Sequence, residues 1–554
     1  MSPPDRRSSE RVRYRFSPLE RRGVIAGWRG GQIASVAGGL VVGVLAVRSR
    51  PSLEGVAVAL AGLGVGLTLA FWPVRGLTGE QWLPLVVRWT WSGTWGGRRQ
   101  HAPGPLSGHL ATADPDRSSA LGVDVRPARS SRHGPGHRSV FEGVKVERVP
   151  LAVDPGAPDV GVVLDSRART ATAVLAVRGH SFALLGPSDQ DARIAGWARM
   201  LSSMAREGSA VHRVQWIETC LPDDGRAVRR YWTDHAVVDA DGAVGRSYRA
   251  LMDEAAPVTR RHQVVVGLTV DTARSGRSMR AAGGGLAGLG QILSREVHAL
   301  RRALEGADVP VDGVLGPRAL CRLIHDASAP LAPLGPPGPL ESPTEDGGPD
   351  QRAADTRAGT VGRQQSRGAP RSRPGVASPL QPPSSWPWPM AIEPMWDAVH
   401  TDGTWHTTFW ISEWPRVDVT PDFLGPLLFS PVRRSVSMVM EPVSPSRAAR
   451  QVAQARTADL ADGELRRRGG FLVTARHARE REGVESRDVE LADGHAQYRF
   501  SGYVTVSSDT RSELTAACAL IEQAAGQSGV ELRLLYGAQD AAFACSLPLG
   551  RGLS

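Results

Sequence analysis

Residues 30–47 read GGQIASVAGGLVVGVLAV, and residues 55–72 read GVAVALAGLGVGLTLAFW. Each run is 18 residues long, and the polar side chains in them are limited to Gln32, Ser35 and Thr68. A helix crosses the hydrocarbon core of a bilayer with about 17–25 apolar residues, so both runs are long enough to span. In lipid every backbone N–H and C=O has to be paired within the segment, which a helix achieves alone. A soluble amphipathic helix keeps a polar stripe, and neither run has one. Residues 48–54, RSRPSLE, separate them, so the two spans are expected to form a helical hairpin. No small-residue cleavage site precedes the second run, which argues against a cleaved signal peptide.

Arginine gives the orientation. Residues 1–29 carry eight arginines against Asp5, Glu10 and Glu20, and Arg75, Arg88, Arg98 and Arg99 follow the second run. The turn holds only Arg48 and Arg50. The positive-inside rule then places both termini in the cytoplasm and the protein in the plasma membrane. Gly39 and Gly43 on one run, and Gly62 and Gly66 on the other, offer smooth strips for close packing.

The 554-residue chain has room for further domains, and its formal net charge is +10. The arginine-rich segment before the first span suits anionic lipid, so the charge does not require nucleic acid, which stays open as a partner. Lys145 is the single lysine. A P-loop needs a lysine after its glycines; Lys145 sits in the strand-like VKVE, and the cluster at 283–290, GGGLAGLG, has none. A Walker-type ATPase is therefore excluded. Cys220, Cys321, Cys518 and Cys545 are scattered, without the paired spacing of a zinc site. His133 and His137 stand in a flexible stretch, and His298 and His477 lack spaced partners. Asp418 and Asp422 read as a solvated loop. No catalytic, cofactor-binding or metal-ligating constellation is found.

In order, residues 1–29 are a basic cytoplasmic arm and 30–72 the hairpin. Residues 73–96 are an interfacial segment, because Trp82, Trp89, Trp91 and Trp95 lie beside arginines just past a span. Residues 97–140 are a Gly/Pro/Ser/Arg-rich tether; its 44 residues have an average reach of about 35 Å as a flexible chain. Residues 141–327 form a first α+β half. Strands are expected at 160–165, 172–178, 181–185, 211–218 and 261–271, and helices at 188–206 (capped by Ser188), 244–253, 286–304 and 317–326. Residues 328–385 are a disordered linker. Residues 386–554 form the second half, with strands at 404–414, 432–441, 496–507 and 529–536. A helix is expected at 509–525, and a long helical insertion at 445–490 breaks at Gly469-Gly470. Trp386, Trp388, Trp396, Trp405, Trp410 and Trp414 crowd its start; Trp405 and Trp410, on a strand, read as core, and the others offer contact surface. Residues 181–218 and 503–536 share one order of strand, cap, helix, glycine and strand. The fold class expected is an α+β cytoplasmic body of two ferredoxin-like halves with helical additions, attached to the N-terminal two-helix transmembrane hairpin.

One local motif points elsewhere. Residues 311–317, VDGVLGP, resemble the turn of small three-helix peptidoglycan-binding modules, which would make 296–327 a wall-binding segment. The helix that follows ends CRLIH rather than in an aromatic and glutamine, and a cytoplasmic body meets no cell wall.

The chain from residue 14 onward, linkers excepted, resembles a family of actinobacterial membrane proteins of conjugation and type IV secretion-like systems. The motifs are YRFSPLERRGVIAGWRGGQ at 14–32, the two spans, AVRGHSFALLGPSDQDAR at 176–193, DGTWHTTFWISEWPRVDVTPDF at 402–423, residues 441–450, ELADGHAQYRFSGY at 490–503 and FACSLPLGRG at 543–552. The family is similar to a small inner-membrane subunit fused to the N-terminal domain of a conjugation ATPase, without the motor. The resemblance implies a non-catalytic scaffold that docks a separate conjugation-type ATPase, alongside other secretion-channel subunits; membrane lipid and further copies of the chain, as a homo-oligomer, are the other partners expected. It carries over no site residues and no cofactor.

Overall fold

The computed structural model describes residue 16 and residues 30–49, 51–74, 77–94, 100–101, 139–151, 159–179, 182–222, 225–255, 260–329, 387–469 and 475–552. The expected arm 1–29 apart from Phe16, most of the tether 97–140, nearly all of the linker 328–385, and Trp386 lie outside the described residues.

Two apolar helices open the described chain, α1 (Gly30–Ser49) and α2 (Leu53–Phe71). They touch along their glycines. A Cβ on Gly39 would stand 2.7 Å from the Gly62 carbonyl oxygen, and one on Gly66 would stand 2.7 Å from that of Ser35. Two of the three polar side chains in these runs find partners within the pair: Gln32 Nε2 donates to the Ala70 carbonyl at 3.0 Å, and Thr68 Oγ1 donates to that of Gly64 at 2.7 Å. The remaining surface is bare aliphatic side chain, with Leu40 58% and Leu60 66% exposed. A two-strand ribbon, β1 (Pro73–Val74) and β2 (Leu77–Thr78), leads into α3 (Gly79–Thr94).

The body is built on one 13-stranded sheet whose pairings are antiparallel. It begins with β3 (Gln100–His101). The first half supplies β4 (Val144–Val149), β5 (Val160–Asp165), β6 (Thr170–Val177), β7 (Val211–Pro222), β8 (Arg260–Asp271) and β9 (Val311–Val314). The second supplies β10 (Ala391–Pro394), β11 (Val399–Thr401), β12 (Thr404–Glu413), β13 (Arg434–Pro442), β14 (Tyr498–Ser508) and β15 (Glu531–Leu534). The order is β3-β10-β11-β12-β14-β13-β7-β8-β6-β5-β4, with β9 on β6 and β15 on β12.

The second half repeats the strand order of the first, with helices at the corresponding connections. In the first, α4 (Pro187–Met204) joins β6 to β7, α5 (Arg226–His235) and α6 (Ala243–Ala255) join β7 to β8, α7 (Gly276–Ala281) and α8 (Gly285–Glu305) join β8 to β9, and α9 (Pro317–Ser328) follows. In the second, α10 (Gly425–Leu428), the pair α11 (Pro445–Gly469) and α12 (Ala475–Ala492), then α13 (Arg511–Gln527) and α14 (Gln539–Ala544) occupy those places.

The registers repeat as well. Thr269 lies between Thr172 and Arg213, as Thr505 lies between Thr408 and Ser435. Leu268 lies between Ala173 and Val214, as Val504 lies between Phe409 and Val436; Gly267 lies between Val174 and Gln215, as Tyr503 lies between Trp410 and Ser437. The two threonine pairs are hydrogen bonded, at 2.9 and 2.8 Å, and each joins residues 97 apart. One step further, Trp216 corresponds to Met438, and these two face each other across β7 and β13. A pseudo-twofold axis passes through that pair and makes one sheet of the two halves.

Both faces of the sheet are covered, which is why all eight residues of β6, TATAVLAV, are buried. On one face β6 packs through Leu175 against Leu293, Val297 and Leu300 of α8 and Met200 of α4; in the second half Phe409 and Val504 pack against Leu514 and Ile521 of α13. On the other face Val174, Ile217 and Val265 meet Leu320 and Ile324 of α9, Phe543 of α14, and Leu547 and Leu549 beyond it.

Several expectations are corrected. Of the strand expected at 181–185, the described residues 182–185 form none; Phe182–Leu184 is a 3-10 turn, because β6 has already left the sheet at Val177. Helix α4 is preceded by Gly186 and starts on Pro187, so Ser188 is inside the helix and not its cap. Residues 226–235 form a helix that the sequence pattern had not suggested. The order noted at 503–536 matches 267–314 and not 181–218, as the registers require. Residues 311–314 are a strand paired with β6, so 296–327 is woven into the first half and is not a three-helix module.

Candidate membrane anchor and its seat on the body

The arginine-flanked apolar helices and the body meet through aromatic side chains. Residues Gln81, Trp82, Leu85 and Trp89 form the half-buried stripe of α3; Trp82, Leu85 and Trp89, at i, i+3 and i+7, share one helix face. Trp82 stacks on Trp396 at 6.0 Å and lies 5.0 Å from the Tyr536 ring; Trp89 meets Trp396 edge-on at 5.5 Å. Gly537, at φ +67°, lets the chain turn beneath: its N–H donates to the Trp396 carbonyl at 2.7 Å, and a Cβ there would stand 3.0 Å from the Trp396 ring. The Trp396, Tyr536 and Gly537 seat belongs to the second half.

A second grip comes from the N-terminal arm. Phe16 stacks on Trp414 at 5.2 Å and lies 5.5 Å from Phe423 and 6.5 Å from Phe500. Phe16 and α3 thus both contact the second half of the body.

These contacts account for most of the tryptophans between 386 and 414. Trp388 is buried against Phe141 at 4.9 Å. Trp405 lies under the Arg511 guanidinium at 5.5 Å, and Trp410 donates through Nε1 to Ser501 Oγ at 3.0 Å. Trp396 and Trp414 hold the N-terminal region. Trp388, Trp396 and Trp414, offered from sequence as contact surface, make contacts within the chain.

Residues 545–552 form a strap over the pseudo-axis. Gln215, fully buried, donates through Nε2 to Ser437 Oγ (2.9 Å) and to the carbonyls of Cys545 (3.0 Å) and Leu547 (2.9 Å), and accepts from the Gly550 N–H at 2.8 Å. Arg213 donates to the Gly550 carbonyl at 2.8 Å. Arg551 grips Asp165 through Nε and Nη2 and donates to the Val140 carbonyl. Tyr503 donates to the Gly552 carbonyl. The strap thereby binds β5, β7, β13 and β14, strands from both halves.

One ionisable cluster lies off the axis. His262 Nδ1 and Glu218 Oε1 are 2.6 Å apart, and Arg434 Nη2 is 3.5 Å from the same oxygen. Arg434 is fully buried and donates through Nη1 to the Ser430 carbonyl at 2.8 Å. Cys220, beside His262 in the ladder, is buried, and burial pushes its thiol up, so it stays protonated and is a poor nucleophile. The other thiols are also free, and burial pushes Cys321 and Cys518 up to about 11 and Cys545 up to about 12. Among the described residues no group of three or more His, Cys, Asp or Glu side chains is placed to hold a metal ion. Lys145 is exposed on edge strand β4, and Asp418 and Asp422 are exposed in a loop; the structure brings none of them to a common site. His133 and His137 lie outside the described residues, as does the His477 side chain.

The chain matches no protein-family model and no curated protein.

Gln215, Arg434 and Phe16 were not anticipated. A glutamine in the middle of VHRVQWIE was the available signal for Gln215: a polar amide in a strand covered on both faces has to be satisfied by something crossing it. Phe16 and the Trp396 seat join residues some 300 or more positions apart, and no local pattern reports such contacts.

Proposed function

We propose that this chain is a non-catalytic integral membrane scaffold. α1 and α2 form a transmembrane hairpin with both termini cytoplasmic, and the body comprises two ferredoxin-like units arranged about the pseudo-axis. The strand orders β9-β6-β8-β7 and β15-β12-β14-β13, each with helical crossovers on one face, support the ferredoxin-like reading. The observation that carries the scaffold reading is the join itself: two helices with bare aliphatic surfaces run into a helix whose tryptophans are seated on the body. Such a join sets the position of the body relative to the bilayer, as a docking subunit requires.

With the resemblance to conjugation-associated membrane proteins, the partner is a separate conjugation-type ATPase held at the inner face of the plasma membrane. The experiment is recovery of the tagged full chain from its native membranes. A P-loop ATPase that co-purifies, and that is lost when residues 141–554 are removed, is the expected result. Recovery of cell-wall or lipid enzymes alone rejects the assignment. The purified chain is expected not to hydrolyse ATP; hydrolysis abolished by a single substitution in the chain would reject the non-catalytic part.

A further inference from the structure

Helix α3 has two apolar faces, and the body covers only one. Trp82 and Trp89 face the body, and Leu85 between them is half-buried. Leu83 is 57% exposed, Val86 41% and Val87 50%. Leu83 and Val87 are one turn apart with Val86 beside them, so these side chains form a continuous strip. An apolar helix face that the body leaves bare calls for another cover.

The place of α3 in the chain says what covers the strip. A Cβ on Gly79, its first residue, would lie 2.8 Å from a Leu69 side-chain carbon and 2.9 Å from the Leu69 Cα. The start of α3 is therefore packed on the last turn of α2, at the level where the apolar surface of α2 ends. Arg88 is exposed on the side of α3 away from the strip, and Arg75, Arg98 and Arg99 flank the helix in sequence. An apolar strip flanked in sequence by arginine, continuous with an apolar helix, has the make-up of a segment lying in the plane of a bilayer surface. We infer that the Leu83, Val86 and Val87 face of α3 is a membrane-surface site that takes anionic phospholipid, its apolar side chains at the headgroup boundary and the arginines that flank the helix in sequence supplying the charge. The inference rests on the reading that α1 and α2 span the bilayer. It turns the Trp396 and Tyr536 edge of the second half toward the membrane and leaves the first half farther away.

The test uses the full-length chain in vesicles of phosphatidylethanolamine and phosphatidylglycerol. An environment-sensitive maleimide dye is placed at Leu83→Cys or Val87→Cys. Val58→Cys in α2 serves as the deep reference, and Val237→Cys, 99% exposed on the body, as the aqueous one. The raised native thiols react slowly at neutral pH, and labelling of the unsubstituted chain supplies the background. Dyes at 83 and 87 are expected to be quenched several-fold more by a headgroup-depth spin-labelled lipid than the dye at 237, and less once phosphatidylcholine replaces phosphatidylglycerol. Deep quenching at 58 with only aqueous quenching at 83 and 87 overturns the inference and leaves the spans standing. Aqueous quenching at 58 overturns the spans and the inference together. Shielding of 87 from both quenchers, with cross-linking at 87 between two copies, overturns it in favour of a second copy as the occupant.

Discussion

Gln215 Nε2 donates to Ser437 Oγ at 2.9 Å, and these two residues hold equivalent positions on β7 and β13. The bond crosses the pseudo-axis through Trp216 and Met438, so one amide joins the halves to each other and both to the strap at 545–552. Gln215→Leu removes all four of its bonds and strands the Gly550 N–H in the interior. Each buried group left unpaired costs about 1–3 kcal/mol, so a loss of about 3 kcal/mol is expected. Ser437→Ala, which removes one partner while Gln215 keeps two carbonyls, is expected to cost about 1 kcal/mol. Denaturant unfolding of the full chain in detergent measures both, and equal losses would contradict this ranking.

The glycine contacts of α1 and α2 make a prediction with its own control. Gly39→Leu and Gly66→Leu each drive a side chain into the facing backbone. Gly38→Leu and Gly64→Leu meet nothing within 4 Å at the Cβ. The first two are expected to lower the thermal midpoint in detergent and the second two to leave it nearly unchanged. The four behaving alike would show that the helices do not pack as described.

Phe16 predicts how the N-terminal arm is protected. Aromatic pairing contributes about 0.5–1.5 kcal/mol beyond area burial, so Phe16→Ala is expected to free the arm at least several-fold more often. Trypsin cuts at Arg11, Arg13, Arg15, Arg21 and Arg22 should accelerate accordingly. Trp414→Ala should have the same effect, since it removes the facing ring. Unchanged cleavage in both variants would rule the contact out.

His406 gives a pH dependence. It is fully buried; Nε2 lies 3.1 Å from the Ser328 carbonyl and therefore carries the proton, while Nδ1 accepts from Ser507 Oγ at 2.8 Å. Burial lowers its pKa from 6.5 to about 3. Below about pH 6.5 the unfolded chain takes up a proton that the folded chain refuses, so the stability held above that pH is lost as pH falls toward 3. Burial lowers His212 and His325 in the same direction. His406→Gln is expected to be less stable at pH 7.5, with the gap to the native chain closing by about 1.4 kcal/mol per pH unit between pH 6 and pH 4. A gap constant with pH would contradict a buried neutral imidazole.

The sequence was informative where the pattern is local. The apolar runs became α1 and α2, and the β-branched runs at 160–165, 261–271, 432–441 and 496–507 became strands within a few residues of the expected bounds. It misled where a short apolar run had no sheet position left, as at 181–185, and where a Gly-Pro turn read as a module lay in a strand-forming stretch, as at 311–317. Helix α5 was missed because it is only ten residues long and its apolar pattern, Val228, Tyr231 and Trp232, covers little more than one turn. The repeat of the halves lies in the registers of Thr172 with Thr269 and Thr408 with Thr505, which sequence order alone suggested in the wrong phase. The seat of α3 and the slot of Phe16 are contacts between distant aromatics, and only the folded chain brings them together.

The central claim is that α1 and α2 cross a bilayer and leave the body on the cytoplasmic side. Pro51→Cys lies between the two helices, and Val237→Cys lies on the body with its side chain 99% exposed. In intact cells a membrane-impermeant maleimide is expected to label position 51 and to reach position 237 only after the membrane is opened. Labelling of 237 but not 51 in intact cells would contradict the account.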